Sequence, residues 1–218
     1  MSEHSTHLTG RIDGALRYGE PIPAHFELRT SSGIQSFAPH IFRNLGLLLK
    51  SLRENDPQGY IRAQLKHLED MGASSELVQA ILHTTVKVDL SIHFGAGNRE
   101  MAMDIIRTLE ELKRKGGEVS TYGEERVISA GAYIWMVGNR RFTLPGTIYF
   151  WHTRKPIPGY VSDADKAEDL QMMRGPFYGA SEPLRTRFLQ GIDQDENGCH
   201  EIDTRGEVLV RAGLAEYK

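Results

Sequence analysis

The sequence predicts an α/β fold built from repeated βαβ units, and three observations lead to this prediction. Residues 86–94 alternate strictly between apolar and polar side chains, which is typical of a strand. A glycine-rich turn and an amphipathic helix over 99–113 follow, and a second strand runs over 118–129. A short helix over 130–137 and a strand over 147–151 then repeat this order. In folds of this class the sites lie at the carboxyl ends of the strands.

The part of the chain before this unit is predicted to form an arm, a strand and three helices. Residues 1–22 are polar and mixed, so we expect a flexible N-terminal arm followed by one domain over 23–218. A short strand is expected at 24–29, and apolar residues recur at helical spacing over 37–53. Two further helical segments form a hairpin over 56–83, an insertion that either completes the core or acts as a lid or docking element.

The C-terminal third is predicted to be mainly helical. A helix begins near Asp163 and is interrupted at Gly175-Pro176, and helical character resumes over 183–189. Thr204 and Glu207 have the spacing of a capping box, which predicts that the last helix begins there. Gly213 is then expected to end that helix.

Composition and charge disfavour several classes of function. A net charge of −3 over 218 residues argues against a surface built to bind nucleic acid or an anionic membrane. No apolar run approaches the roughly 20 residues of a membrane-spanning helix, and the N-terminus lacks a signal-peptide pattern. The single cysteine, Cys199, permits no intrachain disulfide and no cysteine-based zinc cluster, so we expect a cytoplasmic protein. The nine histidines show no ligand spacing, and we expect no metal and no cofactor.

Ser129 and His152 form the candidate chemical pair. Ser129 stands at a strand-to-helix turn, where the free N–H groups of the helix would stabilise a developing oxyanion. Serine is also a favoured N-cap in any protein, so a plain cap is the alternative interpretation. His152 follows an apolar strand and is either a hydrogen-bonded structural residue or a general base that takes the serine proton.

The glycine turn at 95–97 admits three interpretations. The first is a dinucleotide-binding fingerprint, but Glu100 replaces its third glycine and puts a carboxylate where a pyrophosphate would approach. The second is an oxyanion loop, in which the N–H of Gly97 points at a carbonyl oxygen. The third is a tight turn without a function.

The polar stretch 193–198 is similar to the first half of a calcium-binding loop. Its twelfth position is Thr204 rather than a bidentate glutamate, and its eighth is His200, so calcium binding is disfavoured. The stretch then either supplies an acid that orients His152 or is a solvated turn.

Three motifs in a fixed order resemble the proteolytic subunit of the Clp protease, within the wider ClpP/crotonase fold. The stretch LSIHFGAG at 90–97 is similar to the strand and oxyanion loop of that family. VST at 119–121 and ISAGA at 128–132 resemble the segment that holds the nucleophile. RFTLP at 141–145, followed by His152, resembles the stretch that carries the base.

The resemblance implies a serine peptidase that hydrolyses peptide bonds by a Ser-His-acid mechanism. It makes Ser129 the nucleophile and His152 the general base, and it assigns the oxyanion hole to the backbone N–H groups of Gly97 and Ala130. The substrates implied are peptides or unfolded proteins.

The third catalytic residue and the assembly are also matters of resemblance. The family's acid lies in the loop before the last helix, which points to Asp195, with Glu196, Asn197 and Asp193 as alternatives. The family forms rings, so we expect a homo-oligomer, and an ATP-dependent unfoldase is a candidate partner.

Two other functions stay open. A displaced or missing acid would favour a non-catalytic scaffold or assembly subunit of the same fold. An enzyme of the crotonase branch that acts on coenzyme A thioesters would use a similar oxyanion hole, without requiring both Ser129 and His152.

Overall fold

The computed structural model shows ten strands in two sheets and eight helices within the residues that it describes. These residues are 5–14, 24–30, 33–37, 39–54, 58–83, 85–93, 97–153, 162–193 and 200–218. The strands are β1 (Ser5–Asp13), β2 (Ala24–Thr30), β3 (Gly33–Phe37), β4 (Thr85–His93), β5 (Glu118–Glu124), β6 (Arg126–Ile128), β7 (Arg140–Thr143), β8 (Ile148–His152), β9 (Glu201–Arg205) and β10 (Glu216–Tyr217). The helices are α1 (Pro39–Arg53), α2 (Gln58–Asp70), α3 (Ser75–His83), α4 (Arg99–Arg114), α5 (Ala130–Met136), α6 (Asp163–Phe177), α7 (Leu184–Asp193) and α8 (Gly206–Arg211).

The larger sheet has seven strands in the order β10-β7-β5-β4-β1-β2-β3. From β10 to β1, each pair of neighbouring strands is parallel. β2 is antiparallel to both of its neighbours, β1 and β3. A parallel pair needs a crossover connection, and α4 supplies it between the neighbouring strands β4 and β5. The prediction of an α/β fold is therefore confirmed at the level of the fold class.

The expectation of a flexible arm over 1–22 is wrong for Ser5–Asp13, which is strand β1 inside the larger sheet. It pairs with β4 along its whole length and with β2 on its other side. Leu8 and Ile12 are fully buried there. The strand was missed because these two residues are its only large apolar ones, and the strand β4 that pairs with it lies far along the chain. Residues 15–22 lie outside the described residues.

The chain changes sheets between β5 and β6, where one continuous strand was expected. Glu125 separates the two strands with a φ of 51°, in the left-handed region that residues with a Cβ rarely adopt. Its carbonyl accepts the N–H of Ile148 at 2.9 Å, which fixes the start of β8. β6 then pairs with β8 in parallel and β8 with β9 antiparallel, so that the smaller sheet has the order β6-β8-β9.

Helix α1 packs closely against α4. Gly46 of α1 lies so near Thr108 of α4 that an added Cβ would be 1.9 Å from the threonine hydroxyl oxygen. That hydroxyl donates to the carbonyl of Asp104 at 2.8 Å and approaches the carbonyl of Phe42 at 3.3 Å. The two helices therefore leave no space between them at this level.

Helices α2 and α3 form the predicted hairpin. Gly72 ends α2 with a φ of 95°, which suits glycine, and Ala73 donates its N–H back to the carbonyl of Leu68 at 2.9 Å. Ser74 caps α3 by accepting the N–H of Leu77 at 3.0 Å. The two helices exist where they were expected, and their status as an insertion stays a prediction.

Two predictions about the C-terminal third are wrong. Helix α6 runs without a break to Phe177, because Pro176 lies in its last turn and there removes a single helical N–H donor. Thr204 caps no helix, since it belongs to β9, and α8 begins two residues later at Gly206. Gly213 follows the end of α8 with a φ of 74°, as predicted.

The smaller sheet and α5 share an aromatic core. Trp135, Tyr149 and Trp151 are fully buried, and the rings of Trp135 and Tyr149 have centroids 4.5 Å apart. Burial of the Tyr149 phenol raises its pKa. Because alternate residues of a strand face opposite sides, Phe150 and His152 of β8 point away from this core.

The helices in the described ranges have between six and sixteen residues. None of these helices combines the length and the apolar character that crossing a membrane requires.

Candidate active site

Ser129 connects β6 to α5 in a backbone conformation that serine rarely adopts. Its φ is 52° and its ψ is −117°, which differs from the extended conformation of an ordinary N-cap. Such a conformation in a non-glycine residue costs on the order of 1–3 kcal/mol and persists only where the surroundings enforce it. The Ser129 side chain makes no capping hydrogen bond, so the interpretation as a plain N-cap is not supported.

The neighbouring strands explain why Ser129 and His152 are brought together. β6 and β8 are parallel, with Ile128 opposite Phe150, so Ser129 and His152 leave the smaller sheet at the same edge. The N–H of Ser129 continues this pairing by donating to the carbonyl of Phe150 at 2.7 Å. The site therefore lies at the carboxyl end of the strands, as the sequence predicted for a fold of this class.

The first turn of α5 supplies backbone donors next to Ser129. The carbonyl of Ser129 accepts the N–H groups of Ala132 at 3.0 Å and Tyr133 at 3.2 Å. The N–H groups of Ala130 and Gly131 precede them, and no acceptor within a helix reaches its first N–H groups. The N–H of Ala130, which was predicted as one arm of an oxyanion hole, is one of these first N–H groups.

Gly97 lies two residues before α4 and has a φ of 116°, a conformation that favours glycine. Asn98 follows as the N-cap of α4, and its Oδ1 accepts the N–H of Met101 at 3.0 Å. Gly97 lines the same cavity as Ser129. The other two residues of the glycine turn, Gly95 and Ala96, lie outside the described residues.

His152 is the half-buried last residue of β8. Its Nδ1 lies 2.9 Å from the carbonyl oxygen of Thr153, and its own carbonyl accepts the hydroxyl of Tyr133 at 3.0 Å. Because a carbonyl oxygen only accepts, Nδ1 carries the proton of the neutral ring and Nε2 has the lone pair. This is the tautomer in which a histidine takes the proton of a serine.

A cavity of about 100 Å³ lies between α4, α5 and α6. An apolar cavity of about 150 Å³ holds benzene, so this one has room for a small apolar group. Its apolar wall consists of Ala102, Met103, Ile106, Tyr133 and Met172. Four residues that the sequence singled out line it as well, namely Gly97, Ser129, Ala130 and His152.

The cavity wall also contains an ion pair that the sequence did not predict. Arg99 donates from Nε to Oδ1 of Asp169 at 3.1 Å and from Nη2 to Oε2 of Glu168 at 2.6 Å. Asp169 is 5% exposed, and a carboxylate so buried needs a charged or hydrogen-bonding partner. Arg99 supplies one, and it joins α6 to the beginning of α4, two residues after Gly97.

No hydrogen bond within the described part of the chain joins the Ser129 hydroxyl to His152. In structures without a substrate, catalytic hydrogen bonds are often long and tighten only when the substrate binds. The two side chains share a cavity without this bond.

No protein-family model matches the sequence, and no curated protein matches it. Among solved structures, a mutant of ClpP1 from Listeria monocytogenes is similar in fold, with 15% sequence identity and a TM-score of 0.49. The match covers 96% of this chain and 89% of the other. A likeness at this identity and TM-score supports no conclusion about the chemistry of the site.

The three preferred positions for a catalytic acid, Asp195, Glu196 and Asn197, lie outside the described residues, and Asp193 is the last residue of α7. The strand after this stretch, β9, places the exposed Glu201 opposite His152. Thr204, the twelfth position of the disfavoured calcium loop, is buried in β9.

Tyr133 and Thr153 contact His152 and were missed at the level of sequence. Tyr133 follows Ser129 by four residues, about one helical turn, so helical spacing counted from the nucleophile would have found it. Thr153 contributes a backbone carbonyl, which every residue carries, so its residue type gave no signal.

Proposed function

We propose that this chain is a serine hydrolase of the ClpP/crotonase fold that cleaves peptide bonds, with Ser129 as the nucleophile and His152 as the general base. One observation carries the proposal: a serine in a strained strand-to-helix turn lines the same cavity as a histidine whose Nδ1 lies at hydrogen-bonding distance from a backbone carbonyl. Backbone strain of this kind clusters at active sites and ligand clamps.

The reaction uses groups of this chain and water. Ser129 Oγ attacks the carbonyl carbon of the scissile bond while its proton passes to His152 Nε2. The N–H groups of Gly97 and Ala130 stabilise the oxyanion of the tetrahedral intermediate. His152 then gives the proton to the leaving amine, the C–N bond breaks, and an acyl-enzyme remains. Water, activated by the same histidine, hydrolyses the acyl-enzyme and restores Ser129.

The decisive experiment compares covalent labelling by a fluorophosphonate probe among variants. We expect the wild type to be labelled and Ser129→Ala to show no labelling. We expect the His152→Ala variant to be labelled at least on the order of 10³-fold more slowly than the wild type. Ser91→Ala is the matched control, because Ser91 lies on β4 and does not line the cavity. Equal labelling of the wild type and Ser129→Ala would refute the assignment.

The second candidate function is a non-catalytic scaffold of the same fold. The observation that favours it is the missing hydrogen bond between Ser129 and His152 in the described residues. A scaffold predicts that a folded wild type resists the probe as completely as Ser129→Ala does, so the same labelling series separates the two functions.

We also propose a homo-oligomeric ring that acts on peptides or unfolded proteins in the cytoplasm, on the basis of the motif resemblance. Sedimentation velocity tests the assembly, and a monomer at micromolar concentration would contradict it. Acceleration of peptide hydrolysis by an added ATP-dependent unfoldase would identify the partner class.

A further inference from the structure

The peptide group that joins His152 to Thr153 is held at both of its polar atoms. Its oxygen, the carbonyl of His152, accepts the hydroxyl of Tyr133 at 3.0 Å. Its N–H, which belongs to Thr153, donates to the carbonyl of His200 at 2.9 Å. The hydroxyl oxygen of Thr153 in turn accepts the N–H of His200 at 3.0 Å. The backbone at His152 is therefore held on one side by Tyr133 of α5 and on the other by His200, the residue before β9.

The ring of His152 is fixed by the next carbonyl along the chain. Thr153 is 3% exposed, so its carbonyl lies in a setting where a hydrogen bond is stronger than in water. That carbonyl accepts the Nδ1 proton of His152 at 2.9 Å. A neutral imidazole has one N–H, so this bond commits the only proton and leaves Nε2 as the base.

We propose that the carbonyl of Thr153 takes the orienting role that a carboxylate has in a Ser-His-acid triad, and that Tyr133 is a positioning residue for His152. In a triad the carboxylate accepts the Nδ1 proton and so holds the tautomer and the direction of the ring. Here both tasks are performed by the chain segment that carries the histidine. Among the residues that the structure describes, the catalytic unit is a dyad of Ser129 and His152, and this inference rests on the proposed function.

The dyad and the triad differ in what a substitution of the acid does. In a triad, replacing the carboxylate by an amide lowers the rate about 10⁴-fold. In the dyad, Asp195→Asn, Glu196→Gln and Asp193→Asn each remove less activity than Tyr133→Phe. Tyr133→Phe deletes one hydrogen bond while keeping the ring in the cavity wall, and we expect about a fivefold slower reaction of Ser129 with the probe.

The matched control for Tyr133→Phe is Tyr122→Phe. Tyr122 also loses a hydroxyl contact, to Asp89 at 3.3 Å, but it lies on β5 and does not line the cavity. We expect wild-type labelling for this control. With an activated peptide ester as substrate, the Tyr133→Phe loss should fall on kcat and leave KM unchanged, which a general loosening of the cavity would not produce.

A spectroscopic measurement tests the hydrogen bond without relying on activity. Long-range ¹H–¹⁵N correlation spectra of the histidine rings, assigned with His152→Ala, should show His152 protonated at Nδ1 when the ring is neutral. Protonation of the neutral His152 ring at Nε2 overturns the proposal, and so does an acid variant that folds but loses more activity than Tyr133→Phe.

If the wild type itself is not labelled by the probe, the proposed function is wrong and so is the dyad. If the wild type is labelled and an acid variant loses reactivity on the order of 10⁴-fold, the function stands and only the dyad fails.

Discussion

Helix α4 takes part in several ion pairs with buried carboxylates, and a comparison of two of them separates its packed side from the candidate site. Toward α1, Asp104 Oδ2 lies 2.6 Å from Arg43 Nε. Toward α6, Arg99 Nε lies 3.1 Å from Asp169 Oδ1. The first pair lies beside close-packed helices, whereas the second borders the cavity that Ser129 lines. A buried ion pair therefore does not by itself indicate an active site. A cavity beside a reactive side chain is the more informative feature.

The largest effect is expected from filling the packed side of α4. Gly46→Val would place its Cβ against the buried hydroxyl of Thr108, and overpacking at such a contact should lower the free energy of unfolding by about 3 kcal/mol. Urea denaturation measures this change. Gly59→Val in α2 is the control, because no atom lies within 4 Å of the Cβ it would add. If Gly46→Val were as stable as the Gly59 variant, the close contact between α1 and α4 would be refuted.

Enlarging a side chain on the cavity side of α4 should weaken binding of the probe rather than lower the stability of the fold. Ala102→Leu adds three carbons beside the cavity, where there is space, so the free energy of unfolding should fall by less than about 1.5 kcal/mol. Occupying the cavity should slow labelling by a probe with a branched apolar substituent by about tenfold, which corresponds to about 1.4 kcal/mol. A probe with only a methyl substituent serves as the control. Equal slowing of both probes would mean that the cavity does not hold the substituent.

The smallest effect is expected for the pH dependence of thermal stability that arises from Asp104, the carboxylate paired with Arg43. Burial raises the pKa of Asp104 above its ordinary value, against the attraction of Arg43 and Arg107. A carboxyl whose pKa is higher in the folded state stabilises the fold when protonated, and this contribution is lost as pH rises through the folded-state pKa. Asp104→Asn carries no charge at any pH, so its Tm relative to the wild type should rise by about 1–2 °C between pH 4 and pH 7. A relative Tm that falls over this interval would show that the attraction of the arginines dominates.

The fold could be predicted where the apolar pattern was local. The amphipathic helix predicted over 99–113 is α4, and its apolar residues Ile105, Leu109 and Leu112 are buried. The face of the same helix toward α1 was not predicted, because polar residues such as Thr108 form it and an apolar pattern does not register them. Strand β7 was not predicted, because its position depends on pairing with β5 and β10, which are distant in sequence.

The candidate site could be predicted where the chemistry resides in residue type. A serine before small residues and a histidine after an apolar strand are visible in any sequence, and the structure places both in one cavity. Asp169 was not predicted, because it is one of several acidic residues of α6 and burial alone distinguishes it. The positive φ of Ser129 was not predicted either, since the conformation depends on the pairing of β6 with β8.

The hydrogen bond from the backbone N–H of Thr153 to the carbonyl of His200 affects how the site tolerates mutation. Both of its atoms belong to the main chain, so the acceptor is retained whatever residue stands at position 200. The donor is lost only if Thr153 becomes proline, the one residue without a backbone N–H. Most codon changes at these two positions therefore spare this backbone bond. This part of the support of the base follows from the path of the chain, whereas the hydroxyl groups of Tyr133 and Thr153 supply the part that depends on residue type.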